Sequence, residues 1–408
     1  MPLSASVPLG ASVPEFVGGN RLTLLRNGEQ YFPALVAAID AATAEVFLET
    51  YVFADDQTGS LVADALARVA ARGVSTHLLI DGFGARGFAP RCRDMLQGAG
   101  VEVLVFRPDV SPWPFWKQRT RLRRMHRKLG CVDGAVAFVG GINVIDDYDT
   151  PKQTPPRYDY AVRIVGPLAA RVRAAAVRLW WRVAWATFGR RWPGFAPLTG
   201  RAPQRPLRAQ GQGPGGQRAA LVVRDSLRHR RDIEEAYLEL IGAARDEVLI
   251  ASAYFFPGRR FRRALTEAGR RGVRVTLLLQ GRGEYALLHY ASRALYGSLL
   301  AAGVGIEEYH RSFLHAKVAV FDGRIACVGS SNIDPFSLLL AREANVFVDD
   351  TVFAEELRAS LLGAMQTGAR PVRLNRWRRL PFLLKARIWV GYRVARLLMA
   401  FYGYDRLH

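Results

Sequence analysis

The sequence predicts an α/β protein with two pseudo-symmetric halves, each a mixed β-sheet flanked by helices. Three observations support this prediction. Short apolar strands alternate with helical segments along most of the chain. The second part of the chain repeats the first in a constant register. A stretch rich in Pro, Gly and Gln, residues 196–219, separates the two copies as a flexible linker or surface loop would.

The first repeated unit is a strand, a helix and a second strand. In the first half the pattern predicts a strand over 46–51, a helix over 60–72 that stops at Gly73, and a strand over 74–80. The second half repeats this unit, and ARGVSTHLLIDG aligns with RRGVRVTLLLQG without a gap at a separation of 199 residues. Such units are typical of a sheet with flanking helices.

The second repeated unit carries polar residues. Each of its five residues in the first half has an identical counterpart 189 residues later. The pairs are His126 and His315, Lys128 and Lys317, Asp133 and Asp322, Gly134 and Gly323, and Asn143 and Asn332. Five matches in one register indicate a duplicated functional motif.

These repeats divide the chain into five regions. Residues 1–18 are an N-terminal extension, and 19–195 form the first domain. The linker 196–219 leads to a second domain over 220–370, and a basic, aromatic tail follows over 371–408.

The motif has a chemical meaning because residues i and i+2 of a strand point to the same face. His126 and Lys128 are therefore expected to project together, and the Asp-Gly pair after the strand is a tight-turn signal. The returning strand ends near Asn143, which brings an amide back beside them. The second copy, ending at Asn332, should do the same.

Two such sets facing each other supply what a phosphodiester exchange requires. One neutral imidazole can attack phosphorus, and the other, protonated, can donate to the leaving alkoxide. The two lysines and two asparagines can hold the non-bridging oxygens. This chemistry requires no metal and no cofactor.

The charge of the chain indicates an anionic partner. The formal net charge is +21 and the pI is near 10.6, which suits an acidic membrane, a phosphate-bearing substrate or nucleic acid. The three cysteines have no zinc-like spacing and fit a reducing compartment. Neither a convincing signal peptide nor a membrane-spanning segment is predicted, so action on lipid is expected from the membrane surface.

The motifs resemble those of the phospholipase D superfamily and, in detail, bacterial cardiolipin synthases, most closely the cardiolipin synthase B type. The resemblance covers about residues 19–370. The segments that carry it are GNRLTLLRNGEQYFPAL at 19–35, RRMHRKLGCVDGAVAFVGGIN at 123–143, YDYAVRIVGP at 158–167 and GSSNIDPFSLLLAREANVFV at 329–348. It implies two phospholipase D-like halves with the active site at their interface.

The resemblance also implies roles for individual residues. His126 and His315 would be the nucleophile and the general acid/base, with His126 favoured as the nucleophile because relatives usually use the first-half histidine. Lys128 and Lys317 would bind phosphate, with Asn143 and Asn332 beside them. Asp133 and Asp322 complete the catalytic motifs and would support the loops and the local charge. Asp159 and Glu343 match acids that hydrogen-bond a catalytic histidine.

The reaction implied is a two-step phosphatidyl transfer from one phosphatidylglycerol to another, through a phosphatidyl-histidine, that yields cardiolipin and glycerol. The expected partners are anionic phospholipid and the membrane surface, without nucleic acid and without an obligate protein partner. The expected location is the cytoplasmic side of the bacterial inner membrane, as a peripheral protein.

Two segments suggest how the chain meets a membrane. Residues 111–125, SPWPFWKQRTRLRRM, and the tail 371–408 both mix aromatic with cationic side chains, as headgroup interfaces favour. In the tail a packed C-terminal helix remains the alternative to an interfacial amphipathic segment. Residues 179–192, LWWRVAWATFGRRW, are better explained by helical core packing.

Three other functions stay open at this stage. A phospholipase D-type hydrolase would use water as the acceptor, and only the products distinguish it from a transferase. A nuclease of the same superfamily would use the same chemistry on DNA, to which a basic chain is equally suited. A non-catalytic membrane-binding scaffold is the third alternative, against which the intact motifs argue.

Overall fold

The computed structural model describes residues 14–108, 123–150, 153–188, 216–225, 229–283 and 285–401. Within these residues the strands are β1 (Val17–Arg26), β2 (Glu45–Thr50), β3 (Ser75–Asp81), β4 (Glu102–Phe106), β5 (Lys128–Val132), β6 (Val136–Gly140), β7 (Arg157–Tyr158), β8 (Tyr160–Val165), β9 (Gln217–Arg224), β10 (Glu247–Ser252), β11 (Arg274–Gln280), β12 (Gly305–Tyr309), β13 (Phe313–Leu314), β14 (Lys317–Phe321), β15 (Ile325–Gly329), β16 (Glu343–Asp349) and β17 (Ala369–Pro371).

The helices of the same residues are α1 (Asn27–Asp40), α2 (Gln57–Ala71), α3 (Pro90–Gly98), α4 (Pro167–Phe188), α5 (Asp232–Ala243), α6 (Arg259–Arg270), α7 (Ala286–Arg293), α8 (Tyr296–Ala301), α9 (Pro335–Leu339), α10 (Thr351–Gly368), α11 (Leu374–Arg378) and α12 (Phe382–Phe401), with a short 3-10 turn at Gly84–Gly87.

The strand order repeats between the halves, which agrees with the predicted pseudo-symmetry. The first half is ordered β1-β8-β6-β5-β2-β3-β4 and the second β9-β16-β15-β14-β10-β11-β12, with β17 added at the outer edge. In both halves the outer three strands of this shared order are parallel and the others antiparallel, so each sheet is mixed. Strands β1 and β9 pair antiparallel and join the two sheets at the centre.

Turn residues explain where the repeated elements end. Helices α2 and α6 are followed by Gly73 and Gly272, whose φ angles of +86° and +90° favour glycine. Asp133 and Gly134 both have positive φ, 53° and 65°, as a type I′ turn requires between β5 and β6. Asp322 and its following glycine adopt the same turn between β14 and β15. The predicted hairpins are thus present in both halves.

The two halves share a common core. A single apolar cluster joins strands of both sheets with helix α4 of the first half and helix α10 of the second. Each half also has a core of its own on the other face of its sheet, packed under α1 and α2 in the first half and under α5 and α6 in the second. The halves therefore face each other across the shared core.

The regions outside the sheets can be compared with their predictions. Residues 189–215 lie outside the described residues, but 217–219 of the predicted linker belong to β9. Gln217 accepts the Leu22 amide at 2.6 Å, which ties this end of the linker into the fold. Of 111–125, only 123–125 is described. The segment from 179 packs as core helix: Trp180 is buried in α4, although Trp185 is exposed.

The tail forms helices α11 and α12, and α12 packs along α7. Its inner face buries Ile388 and Ala395, and Gly391 allows close approach because a Cβ there would lie 2.8 Å from Tyr290 Cβ. Among the described helices, none is both long and hydrophobic enough to span a membrane.

Candidate active site

The two motif histidines lie just before β5 and β14, where the halves meet. The His126 amide donates to the carbonyl of Arg342 at 2.9 Å, and the His315 amide donates to the carbonyl of Tyr158 at 2.8 Å. Each histidine is therefore held by a backbone bond from the opposite half. The residue after each of these carbonyls is the acid that the sequence singled out, Glu343 or Asp159.

The side chains of the two histidines also bind residues of the opposite half. His126 Nδ1 lies 3.0 Å from Glu343 Oε1, and His315 Nδ1 lies 2.6 Å from Asp159 Oδ2. An ionised carboxylate only accepts hydrogen bonds, so each Nδ1 donates its proton and each Nε2 carries the lone pair. Both imidazoles thus have the tautomer that a nucleophile or proton acceptor needs at Nε2.

The two lysines are placed differently. Lys317 Nζ lies 3.4 Å from Asp159 Oδ2 and also donates to the His315 carbonyl. It lies 2.8 Å from His315 Nδ1, which is already committed to Asp159. Lys128 Nζ donates to the His126 carbonyl at 2.8 Å and lies 5.2 Å from the centre of the Tyr51 ring. Lys128 has no ion pair with a carboxylate within the described residues.

Burial and nearby cations favour the neutral form of both imidazoles. Burial, followed by the Lys317 ammonium, lowers the pKa of His315 to about 3 against the opposing pull of Asp159. Burial and Lys128 likewise lower the pKa of His126, although Glu343 opposes them. A neutral imidazole with a free Nε2 is the form that can attack phosphorus.

The charges of the two motifs act on each other. Burial lowers the pKa of Lys128 to about 7, Glu343 of the other half opposes this, and Lys317 adds to it. Burial would raise the pKa of Asp159, but Lys317 and His315 bring it below its ordinary value. The residues of both halves therefore form one electrostatic cluster.

The two asparagines are both buried near the ends of the returning strands. Asn143 Oδ1 accepts the Val52 amide at 3.3 Å, and its Nδ2 makes no hydrogen bond within the described residues. Asn332 Oδ1 is buried without a hydrogen-bond partner in the same residues. Each amide therefore retains unused hydrogen-bonding capacity.

The structure does not bring Asp133 and Asp322 to the cluster. They lie at the far ends of β5 and β14, on the order of 15 Å along the strand from the lysines. Asp133 accepts the amides of Thr43, Ala44 and Glu45. Asp322 accepts the equivalent amides of residues 245–247. Both aspartates hold the loop that leads into the neighbouring strand, at a distance that excludes contact with a phosphorus atom between the histidines.

Sequence reasoning missed several residues of this region. Ser330 donates to Glu343 Oε2 at 2.5 Å, whereas its counterpart Gly141 leaves room for Asp159, since a Cβ there would lie 2.3 Å from Asp159 Oδ1. The difference between VGGIN and VGSSN was the available signal. The Tyr51 ring centre lies 4.8 Å from that of His126, and no motif marks this tyrosine.

Arg224 is the other missed residue. It stands opposite Glu343 in the β9–β16 ladder and is fully buried. Its Nη1 and Nη2 have no hydrogen-bond partner within the described residues, and burial lowers its pKa to about 9 while Glu343 opposes that shift. Glu343 is therefore flanked by a buried cation, for which the segment ALVVRDS offered no sequence signal.

A family profile described as "Cardiolipin synthase, PLD-like domain" matches residues 35–150 and 237–363, one segment in each half. Cardiolipin synthase B of Escherichia coli (strain K12) is 37% identical over 363 residues, covering 87% of this chain and 82% of that protein. Cardiolipin synthase 1 of Bacillus anthracis is 30% identical over 350 residues, covering 84% and 67%.

A solved structure shares the fold over almost the whole chain. The crystal structure of phosphatidylserine synthase from Haemophilus influenzae Rd KW20 superposes with a TM-score of 0.64 and covers 95% of this chain and 96% of that one. The sequence identity is 11%, so this similarity concerns the fold alone.

Proposed function

The chain belongs to the cardiolipin synthase family of phospholipase D-like proteins, and from this premise we propose that it transfers a phosphatidyl group from one phosphatidylglycerol to another, forming cardiolipin and releasing glycerol. The observation that carries the proposal is the exchange of partners between halves. Each motif histidine takes its carboxylate from the opposite half, at 3.0 Å for His126 and 2.6 Å for His315. This reciprocity supports a single site with two imidazoles.

In the first step His126 Nε2 attacks the phosphorus of phosphatidylglycerol. The P–N bond forms, the P–O bond to glycerol breaks, and the glycerol oxygen takes a proton from His315. A bound phosphodiester adds a negative charge beside Lys128 and Lys317, which favours the protonated His315 that this role requires. The two lysines and two asparagines hold the non-bridging oxygens as the charge on them grows.

In the second step another phosphatidylglycerol supplies its terminal hydroxyl. That hydroxyl gives its proton to His315 as its oxygen attacks phosphorus. The P–N bond breaks, His126 is regenerated, and cardiolipin leaves. Asp159 and Glu343 keep both imidazoles oriented and stabilise each imidazolium when it forms.

The test is to incubate the purified protein with radiolabelled phosphatidylglycerol in mixed micelles and identify the products. Wild-type protein should form cardiolipin and glycerol, and His126→Gln and His315→Gln should each lower turnover by about 10⁴-fold or more. Substantial turnover by either variant would contradict the two-histidine mechanism. Phosphatidic acid as the main product would indicate hydrolysis. In a parallel incubation with DNA, cleavage of DNA without turnover of phosphatidylglycerol would indicate a nuclease.

The nucleophile is tested with a phosphatidyl ester whose leaving group needs no proton, such as p-nitrophenol. His315→Gln should then accumulate label on the peptide that contains His126, detected by mass spectrometry under alkaline conditions. Label on His315 in the His126→Gln variant would reverse the assignment.

The outward face of α12 supports a peripheral position on the membrane, which we place on the cytoplasmic side. Phe382, Trp389 and Leu397 are 82%, 59% and 67% exposed and lie on one side of the helix. Arg393 covers the Trp389 ring at 5.1 Å. An exposed apolar face with cations fits an anionic headgroup region.

Because the inner face of α12 is packed on α7, point variants test this role better than deletion of 371–408. Trp389→Ser with Leu397→Ser should weaken sedimentation with phosphatidylglycerol vesicles without lowering thermal stability. Val352→Ser, at an equally exposed residue on α10, is the matched control. Unchanged vesicle binding would remove α12 from the membrane contact.

A further inference from the structure

A small pocket lies beside the second motif, between the ends of β10 and β11 and helix α7. It is called here the α7 pocket. Its wall combines polar and aromatic side chains, among them Tyr254, Tyr285, His289, Ser292, Phe313 and Asp334. Its volume is about 30 Å³, which is room for about two water molecules. The pocket can therefore hold a group that carries two hydroxyls, but not an acyl chain.

The α7 pocket begins next to His315. Phe313, which forms part of the pocket wall, comes two residues before this histidine, and the centres of the two rings are 5.8 Å apart. Ala253, also in the wall, donates its amide to the carbonyl of Ala316 at 2.9 Å. Two parts of the wall are thus fixed to the segment that carries His315.

The polar groups of the pocket suit an uncharged alcohol with several hydroxyls. Asp334 is buried, and its Oδ1 accepts the Ser337 amide at 3.1 Å. A carboxylate has lone pairs for further donors. Burial lowers the pKa of His289 to about 4, so its imidazole is neutral near neutral pH and can both donate and accept. Tyr254 and Ser292 add hydroxyls to the wall.

The first half has different residues at the equivalent positions. In the register of the motifs, Arg124 stands where the second half has Phe313, and Ile145 stands where it has Asp334. The Arg124 guanidinium is committed to the buried Asp81 through bonds of 2.6 and 2.8 Å. The α7 pocket is therefore a feature of the His315 side of the site.

We propose that the α7 pocket binds the two free hydroxyls of the glycerol headgroup, an inference that rests on the proposed function. The attacking and leaving groups lie roughly in line on opposite sides of phosphorus, so attack by His126 directs the leaving glycerol toward His315. One glycerol carbon carries the leaving oxygen. The other two carry hydroxyls that extend past His315 to the pocket, where Asp334 and His289 bind them. The reverse of this step places free glycerol in the same pocket.

The experiment measures how the phosphatidyl-enzyme divides between alcohols in one reaction. Phosphatidyl-p-nitrophenol in detergent micelles loads the enzyme, and glycerol, propan-1-ol and choline at equal concentrations compete for the phosphatidyl group. Mass spectrometry gives the ratio of phosphatidylglycerol to phosphatidylpropanol, which does not depend on how much of the protein is folded. Wild-type protein should favour glycerol, and Asp334→Asn and His289→Phe should each lower the ratio roughly tenfold.

The chain offers a matched control for the change at Asp334. Asparagine caps helices about as well as aspartate, so Asp334→Asn keeps an oxygen for the Ser337 amide. Asp350 caps α10 in the same way, accepting the Phe353 amide at 2.8 Å, and follows the end of β16 that lies away from Glu343. Asp350→Asn should therefore keep the wild-type ratio.

The outcomes separate the two hypotheses. A wild-type ratio in both pocket variants would overturn the glycerol assignment and leave the proposed function intact. Wild-type protein that favours choline would also overturn the assignment, because the Asp334 carboxylate would then select a cation. Wild-type protein that transfers the phosphatidyl group to no alcohol would overturn the proposed function and, with it, this assignment.

Discussion

The two copies of the motif are identical in their key residues but differ in structure. In the second copy, His315, Asp159 and Lys317 form a closed set, with Lys317 fully buried against the carboxylate. In the first copy, Lys128 has turned toward the Tyr51 ring, and His126 keeps a side-chain exposure of 18% against 10% for His315. The first copy is therefore the more open of the two.

The two carboxylates, Asp159 and Glu343, also differ in the groups that hold them. Asp159 is held by Lys317 of the opposite half at 3.4 Å and by the Tyr160 amide at 2.8 Å. Glu343 is held by the Ser330 hydroxyl and flanked by Arg224, neither of which has a like-for-like counterpart at Asp159. A duplicated site thus reaches the same histidine–carboxylate contact by two different sets of supports, and removing those supports should have unequal effects.

The largest effects are expected from Asp159→Asn and Glu343→Gln. A neutral amide no longer fixes the Nδ1 proton, so each variant should lose about 10²- to 10⁴-fold in kcat/KM. The two variants should also differ in their free energy of unfolding. Asp159→Asn leaves Lys317 buried without its partner and should cost about 3–5 kcal/mol of unfolding free energy. Glu343 makes no ion pair with a lysine or an arginine within the described residues, so Glu343→Gln should cost less.

Kinetics and denaturant unfolding of both variants check this asymmetry. If Glu343→Gln destabilises the protein as much as Asp159→Asn does, the two copies are not supported differently.

These residues show how much of the fold and of the site could be predicted from the sequence. Strand and helix periods, together with the constant separation of 189 residues, predicted the repeated mixed sheets because those patterns are local. The crossing of partners, His126 to Glu343 and His315 to Asp159, depends on how two sheets dock, and spacing along one chain carries no such information.

The position of Arg224 could not be predicted from the sequence either. In the sequence it is an ordinary residue at the end of a strand, and only the pairing of β9 with β16 places it beside Glu343. Asp133 is the opposite case, a motif residue that lies away from the site. Its place in the motif grouped it with the catalytic residues, but its carboxylate holds a loop at the other end of β5.

The next largest effect is expected from Arg224→Met. Loss of the flanking cation removes the positive charge that faces the Glu343 carboxylate beside His126, so kcat/KM should fall roughly tenfold. Stability should stay equal or rise, because a buried guanidinium with two unsatisfied nitrogens is removed. Arg224→Lys should keep most of the wild-type kcat/KM. A fall in stability with an unchanged kcat/KM would assign Arg224 a structural role instead.

A smaller effect concerns Lys128. Its pKa of about 7 in the free enzyme means that the phosphate-binding ammonium is lost as the pH rises above neutrality. The value of kcat/KM should therefore fall on the alkaline side, by about tenfold for each pH unit well above that pKa. Lys128→Arg stays charged and should abolish this limb even if its maximum is lower. Persistence of the limb in Lys128→Arg would show that another group causes it.

The smallest effect is expected from Ser330→Ala. The Ser330 hydroxyl donates to Glu343 Oε2 at 2.5 Å, but the other carboxylate oxygen keeps its 3.0 Å contact with His126. A single buried hydrogen bond contributes about 0.5–1.5 kcal/mol net, so kcat/KM should fall between about twofold and tenfold without a change in fold. Ser331→Ala, one residue further along, does not touch either carboxylate and serves as the matched control. A loss as large as that of Glu343→Gln would mean that the hydroxyl alone positions the Glu343 carboxylate, whereas Asp159, which has Gly141 in the place of Ser330, needs no such support.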